Sequence, residues 1–290
     1  MMAAEAPQPK FRLKKRAIAR QQRQSGVDFM FENPADGRFK DLECVKGLLV
    51  EFPDQVFKRV TSYCQYGFAY QKRTLFIGTL PTFVPAAPCP ESACQWLRKG
   101  ASHPGQVVGT PQAEKNSIPP LLVDLIVDSW MKFRVAKTYL LVDVFSGWGS
   151  IEQRVCEQQL KGRWMNVRVF SNDIVHRAHT DCNLDMQKWT PSQLLVFSML
   201  RFWASDIEEA SKHPKGVAGW LVDSGTTILF HTSTPCETYS VNGLCVHRVK
   251  GSAQPKSEAA VRADALNTKL VSNFKFLCLS PSPLLPFLAT

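Results

Sequence analysis

Apolar residues fall into short continuous runs in the second half of the chain, separated by stretches with helical spacing. Tyr139-Leu140-Leu141-Val142 runs into Asp143, and Val167-Arg168-Val169-Phe170 runs into Ser171-Asn172-Asp173. Between them, residues 151–160 form an amphipathic helical run. A third apolar, β-prone run, Ile228-Leu229-Phe230-His231, opens into a turn marked by Pro235 and Cys236. Runs this short, bounded by turn residues, read as buried strands. Residues 119–130, 190–210 and 259–270 read as helices. In the second of these, Leu194, Leu195, Phe197, Leu200 and Trp203 recur at mixed helical spacing, as core positions do. Strand, glycine loop, helix, strand, helix and strand in succession predict a doubly wound α/β fold. Ligands of such folds bind outside the carboxyl ends of the strands. Residues 80–112 follow neither period and are rich in proline and glycine.

The carboxyl ends of these strands carry the candidate chemistry. Cys236 lies in Thr234-Pro235-Cys236-Glu237-Thr238-Tyr239-Ser240, where a thiolate can attack an electrophilic carbon. The alternative is a small buried hydrophobe, the commoner role of a free cysteine. After Asp143 comes Val144-Phe145-Ser146-Gly147-Trp148-Gly149, then a helix. Glycines there let a backbone approach a ligand, and the helix N-terminus adds N–H donors. The spacing is neither Gly-x-Gly-x-x-Gly nor a phosphate loop, so by itself this stretch is also an ordinary strand-to-helix turn. Asn172 or Asp173 is placed to accept hydrogen bonds from ribose hydroxyls. Asp181 and Asp185 follow, where helix-entry capping is the simpler role.

Together these residues resemble the cytosine-C5 DNA methyltransferases, in which an Asp-x-Phe-x-Gly-x-Gly loop binds S-adenosylmethionine and a Pro-Cys loop supplies the nucleophile. Asp143, Phe145, Gly147 and Gly149 match the first block; Pro235, Cys236 and Ser240 match the second, with Thr234 and Glu237 departing from the usual proline and glutamine. Val27 through Glu32-Asn33-Pro34 is similar to the family's Glu-Asn strand. Gln71-Lys72-Arg73 is similar to its basic Gln-x-Arg core. Asn116-Ser117-Ile118-Pro119 resembles its late Asn-Ser-Val-Pro block. Those three blocks usually follow the cysteine, whereas here they precede the cofactor loop. That order resembles the domains-rearranged methyltransferases, and the wording of the blocks is closer to phage and algal-virus methylases. The resemblance spans roughly residues 27–270.

It implies an S-adenosylmethionine-dependent, Rossmann-like methyltransferase fold in circularly permuted order with a small irregular insert. It also implies DNA (cytosine-5-)-methylation through a covalent adduct at ring carbon 6. Cys236 would be the nucleophile, Glu32 the acid that activates the ring at N3 while holding a proton near neutral pH, and Arg73 a support for the cysteine or the base. Asp143, Phe145, Ser146, Gly147, Gly149, Asn172, Asp173, Asp185 and Asn116 would contact the cofactor. Alone, Glu32-Asn33-Pro34 also reads as a turn after a strand, and Gln71-Lys72-Arg73 as a solvated face.

Charge points the same way. The formal net charge is +10 and the pI about 9.2, which suits a polyanionic partner such as DNA. Much of the excess lies in Lys10, Arg12, Lys14, Lys15 and Arg16, a nucleic-acid arm, a nuclear-localisation patch or a solubilising tail. No apolar run reaches the roughly 18 residues that span a membrane. The nine cysteines read as reduced intracellular thiols, with the nucleus expected if the source is eukaryotic. A monomer is expected. Within the insert, Cys89, Cys94 and His103 can hold zinc, with Cys64 as a fourth ligand, although an irregular loop with ordinary thiols is the default. The expected organisation is a basic disordered tail (1–25), a half carrying the Glu-Asn strand, basic hairpin and insert (26–130), a cofactor half (131–275) and an irregular tail (276–290). The tail is unlike a strand that closes such a fold. The chain can therefore also be a fragment of a tandem methylase, or a catalytically impaired relative that binds nucleic acid. An amino-methyltransferase would need an aromatic residue where Cys236 stands.

Overall fold

The computed structural model describes residues 26–90, 94, 103, 117–175, 178–233, 247–249 and 254–279. In chain order the strands are β1 (Val27–Pro34), β2 (Phe57–Ser62), β3 (Arg73–Gly78), β4 (Thr138–Asp143), β5 (Val167–Ser171) and β6 (Thr226–Thr232). The α-helices are α1 (Glu43–Glu51), α2 (Pro120–Phe133), α3 (Ser150–Leu160), α4 (Pro191–Phe202), α5 (Ile207–Lys212), α6 (Gly216–Asp223) and α7 (Glu258–Phe274). The six strands form one mixed sheet in the order β2-β3-β1-β6-β4-β5. β1, β6, β4 and β5 are parallel neighbours, while β3 runs antiparallel to both β1 and β2. The architecture is α/β and compatible with a Rossmann-like fold.

The sheet is buried on both faces, which explains the continuous apolar runs. On one face Phe29, Phe31, Val142, Ile228 and Phe230 pack under α1, α4, α6 and α7; on the other, Met30, Phe76, Leu141 and Leu229 pack under α2 and α3. Side chains alternate between these faces with period two, so each strand reads apolar on both. β1 pairs with β6 in register, Phe29 opposite Phe230 and Met30 opposite His231. The N-terminal and C-terminal halves of the chain therefore share one sheet. A buried ion pair reinforces the junction between β1 and the end of α2: the Arg134 guanidinium makes two 2.8 Å bonds to Asp28. Asp28 also accepts from the Thr79 hydroxyl at 3.0 Å.

Two expectations change. The helix expected over 190–210 is three pieces: α4, a 3-10 turn Ala204–Asp206 and α5. α4 opens on a capping box in which Thr190 and Gln193 exchange side-chain and backbone bonds. It stops at Trp203, whose backbone (φ −143°, ψ 43°) is not helical and whose ring meets Phe202 edge-on. The tail expected from residue 276 begins inside the core. α7 continues into a π-helical turn, Lys275–Leu279, that buries Leu277, Cys278 and Leu279. Phe274 stacks on Phe29 at 5.7 Å and meets Phe31 and Phe230 at 5.5 and 5.1 Å. The end of α7 thus closes over the strand that begins the fold.

Candidate functional site at the carboxyl edge of the sheet

The chain leaves β4 toward β5 on one side, and β6 lies on the other. β4 thus lies between β5 and β6, and ligands of open α/β sheets bind outside the carboxyl ends of such strands. β4 ends at Asp143 and passes into the Gly147 and Gly149 loop. β6 ends at His231 and Thr232, from which the chain runs toward Cys236. The adjoining strand, β1, contributes Glu32.

Asp143 and His231 stand opposite each other in the register, and their side chains join: His231 Nδ1 lies 3.0 Å from Asp143 Oδ1, both buried. The other ring nitrogen, Nε2, is buried and has no hydrogen-bond partner among the described residues, as is the case for Thr232 Oγ1.

Glu32 lies on the same sheet face as His231 and Asp143, two residues beyond Met30, which pairs with His231. Its carboxylate accepts from the Tyr63 hydroxyl at 3.0 Å and faces Lys72 Nζ at 3.6 Å. Lys72 Nζ also sits over the Tyr63 ring, 4.7 Å from its centroid. Burial pushes the Glu32 pKa up, but Lys72, the Ser233 hydroxyl, His231 and Tyr63 outweigh it and hold the group below the usual carboxylate value. Burial first, and then the charge of Glu32, push the Tyr63 phenol well above its usual value, so it stays a donor. The expectation of a Glu32 that holds a proton near neutral pH is corrected in this arrangement: Lys72, the hydroxyls of Ser233 and Tyr63, and His231 hold the group below the usual carboxylate value.

Arg73 does not face Glu32. It opens β3 with its guanidinium turned outward to Asp36 at 3.0 Å, and both side chains are about half exposed. The cation facing Glu32 is its neighbour Lys72, since alternation along the backbone turns consecutive residues to opposite sides.

The glycine loop is compact. Gly147 (φ +53°) and Gly149 (φ +72°) are both left-handed, a conformation other residues rarely adopt. Among the described residues a Cβ at Gly147 would meet nothing nearer than the Phe145 carbonyl oxygen at 4.0 Å, whereas a Cβ at Gly149 would strike the His179 ring at 2.6 Å. The Gly147 N–H donates to Asp173 Oδ2 at 2.8 Å, and Asp173 Oδ1 accepts from the Val175 N–H at 2.9 Å. Ser146 is buried with its hydroxyl 3.5 Å from His179 Nε2. Phe145 is half-buried against the core. The Ile118 N–H donates to Ser150 Oγ at the start of α3, 3.2 Å away, so the Ser117-Ile118 segment lies beside this loop.

One expected cofactor contact, Asn172, is committed elsewhere. Asn172 is buried and uses its amide on the backbone: Nδ2 donates to the Val144 and Leu184 carbonyls and Oδ1 accepts from the Leu184 N–H. It braces the loops and offers nothing to a ribose; Asp173 is the acidic group the loop presents. Asp185 Oδ1 caps its own turn through the Gln187 N–H at 3.0 Å, the simpler of its two sequence roles. Asp181 holds the end of β5 through the Ser171 N–H and pairs with Arg201. Cys236 and Asn116 lie outside the described residues.

Sequence reasoning passed over Lys72, Tyr63, His231 and Ser233. His231 carried a usable signal, a polar residue inside an apolar strand. Its partner was invisible, because the bond to Asp143 depends on which strands become neighbours. A fourth grouping gathers off the sheet edge: Cys64, Cys89, Cys94 and His103, with ligand atoms all within 4.8 Å of one another. The zinc ligands considered from the sequence are therefore brought together.

Comparison with models of known protein families, with curated proteins and with solved structures returned no match. No described helix is long and apolar enough to cross a membrane.

Proposed function

We propose that this protein is a DNA (cytosine-5-)-methyltransferase of circularly permuted order, with S-adenosylmethionine as methyl donor. One observation carries the proposal. The strand before the cofactor block, the strand before the Pro-Cys block and the strand that carries Glu32 lie far apart in the chain, yet β4, β6 and β1 are neighbours in the sheet.

The residues fit the cofactor's demands. The room left beside Gly147 by the described residues, the acidic Asp173 and the N-terminus of α3 offer space, an acceptor for hydroxyls and N–H donors. When bound, S-adenosylmethionine supplies an electrophilic methyl group on a sulfonium. Cys236 then has the task of adding its sulfur to carbon 6 of a flipped cytosine, which makes carbon 5 nucleophilic. Glu32 faces the pyrimidine edge. As an anion it accepts from the exocyclic amino group, and it takes up a proton to engage N3 once the base displaces water and burial dominates. Carbon 5 would then take the methyl while the sulfonium is released as a thioether, a base such as water would remove the C5 proton, and the Cys236 thiolate would be expelled. The +10 net charge suits the grip on phosphates that base flipping needs.

A second reading, a nucleic-acid-binding relative without turnover, draws on the ionised and paired state of Glu32. One experiment separates the two. DNA containing 5-fluorocytosine should trap the protein with S-adenosylmethionine as a denaturant-resistant adduct, because fluorine cannot leave as a proton does, and Cys236→Ser should form none. An adduct with Cys236→Ser would refute the nucleophile. DNA binding with neither adduct nor methyl transfer would establish the second reading.

A further inference from the structure

We infer that Cys64, Cys89, Cys94 and His103 form a four-coordinate structural zinc site that staples the proline-rich segment after β3 onto the short helix Tyr63–Tyr66. The inference does not rest on the methyltransferase reading. The ligands come from three places in the chain: Cys64 from that helix, Cys89 and Cys94 with four residues between them beyond it, and His103 further on. Their donor atoms all lie within 4.8 Å of one another. The three cysteines are buried in a cluster of their own, apart from both apolar cores, and none is in a disulfide.

The distances match a common centre. With Zn–S of about 2.3 Å and Zn–N of about 2.0–2.1 Å, a tetrahedron sets S···N separations of about 3.5–3.6 Å. His103 Nε2 lies 3.5 Å from Cys89 Sγ and 3.2 Å from Cys94 Sγ. Hydrogen bonding explains this poorly, since one imidazole nitrogen carries either a single lone pair or a single proton and cannot serve two thiols equally. One metal ion satisfies all four groups. Three thiolates and an imidazole are soft ligands that select tetrahedral zinc, and four protein ligands leave no position for water, so the site is structural rather than catalytic.

The backbone around the cluster is already arranged for this. The Cys89 N–H donates to Ser62 Oγ at 3.0 Å, the Thr61 hydroxyl to the Ala86 carbonyl at 2.8 Å and the Ala86 N–H to the Tyr66 hydroxyl at 2.8 Å. The segment is thereby laid along the end of β2. Cys64 directly follows Tyr63, so the metal would also fix the turn that carries the Tyr63 hydroxyl to Glu32. Binding releases the thiol protons to solvent as the ligands ionise.

The test is metal stoichiometry of the full chain, purified without chelator and with thiols kept reduced. Elemental analysis should give about one zinc per chain. Cobalt(II) added to the stripped protein should give tetrahedral visible bands and thiolate charge transfer, saturating at one equivalent. Cys94→Ser and His103→Ala should each lose most of the metal, while Cys156→Ser, an exposed cysteine, should keep it. The cobalt titration of the wild type remains decisive if a variant fails to fold. Absence of both zinc and the cobalt spectrum, or full metal content in Cys94→Ser and His103→Ala, would overturn the site. Neither result depends on whether the protein transfers methyl groups.

Discussion

Replacing Lys72 by methionine tests the electrostatics of the candidate site directly. Lys72 Nζ lies 3.6 Å from the buried Glu32 carboxylate, and both side chains are mostly withdrawn from water. At an effective dielectric constant of about 20, opposite unit charges at that separation attract by about 4–5 kcal/mol. Lys72→Met keeps the length of the side chain and removes the charge. The Tyr63 and Ser233 hydrogen bonds persist and the methionine regains rotamer freedom, so the expected destabilisation near pH 8 is about 2–4 kcal/mol. Its pH dependence is the sharper signature. In the wild type the Glu32 pKa is depressed, so its contribution is present above the unfolded-state value and is lost as pH falls through the folded one. In the variant, burial dominates and the pKa rises, so ionisation becomes a penalty that grows with pH. The stability gap between the two proteins should therefore narrow from pH about 8 toward pH about 4, close to the unfolded carboxylate value. Urea unfolding followed by tryptophan fluorescence at several pH values measures it. A gap of constant size across that range would refute the assignment of Lys72 as the cation that holds Glu32 ionised.

Gly147→Val should abolish S-adenosylmethionine binding by calorimetry while unfolding only about 1–2 kcal/mol more easily, the cost of a left-handed conformation for a non-glycine residue; undiminished affinity would remove the loop from the cofactor site. Phe274→Ala should cost about 3–5 kcal/mol, because the ring meets Phe29, Phe31 and Phe230 together. A loss below about 1 kcal/mol would show that α7 does not close over β1 in solution.

The elements that could be read in advance are those whose signal is local. β4 and β5 are buried apolar runs, α3 has an amphipathic period and α2 begins with prolines, and each appears within a few residues of its expected place. The break at Trp203 and the burial of residues 277–279 were not legible, because both depend on what lies across the interface. The candidate site divides the same way. Gly147 and Gly149 announce themselves, since only glycine takes their left-handed conformation without strain. Asn172 and Arg73 look eligible in sequence but are turned to other partners by the local path of the chain.

The sequence by itself determined the types of group available and the alternation of strand and helix, because hydrophobic period and turn chemistry act over a few residues. It also determined the order of the blocks, but not that the order closes on itself. Only the tertiary structure decided that β1 inserts beside β6, since parallel pairing between strands about 200 residues apart follows from burying both faces of one sheet. That placement brings His231 and Ser233 beside Glu32, while Lys72 and Tyr63 come from the β2-β3 side of the sheet, and together they hold Glu32 below the usual carboxylate value. The ionisation of a buried carboxylate depends on the cations and donors that packing brings within a few ångströms, and these come from segments that adjacency in the chain does not relate.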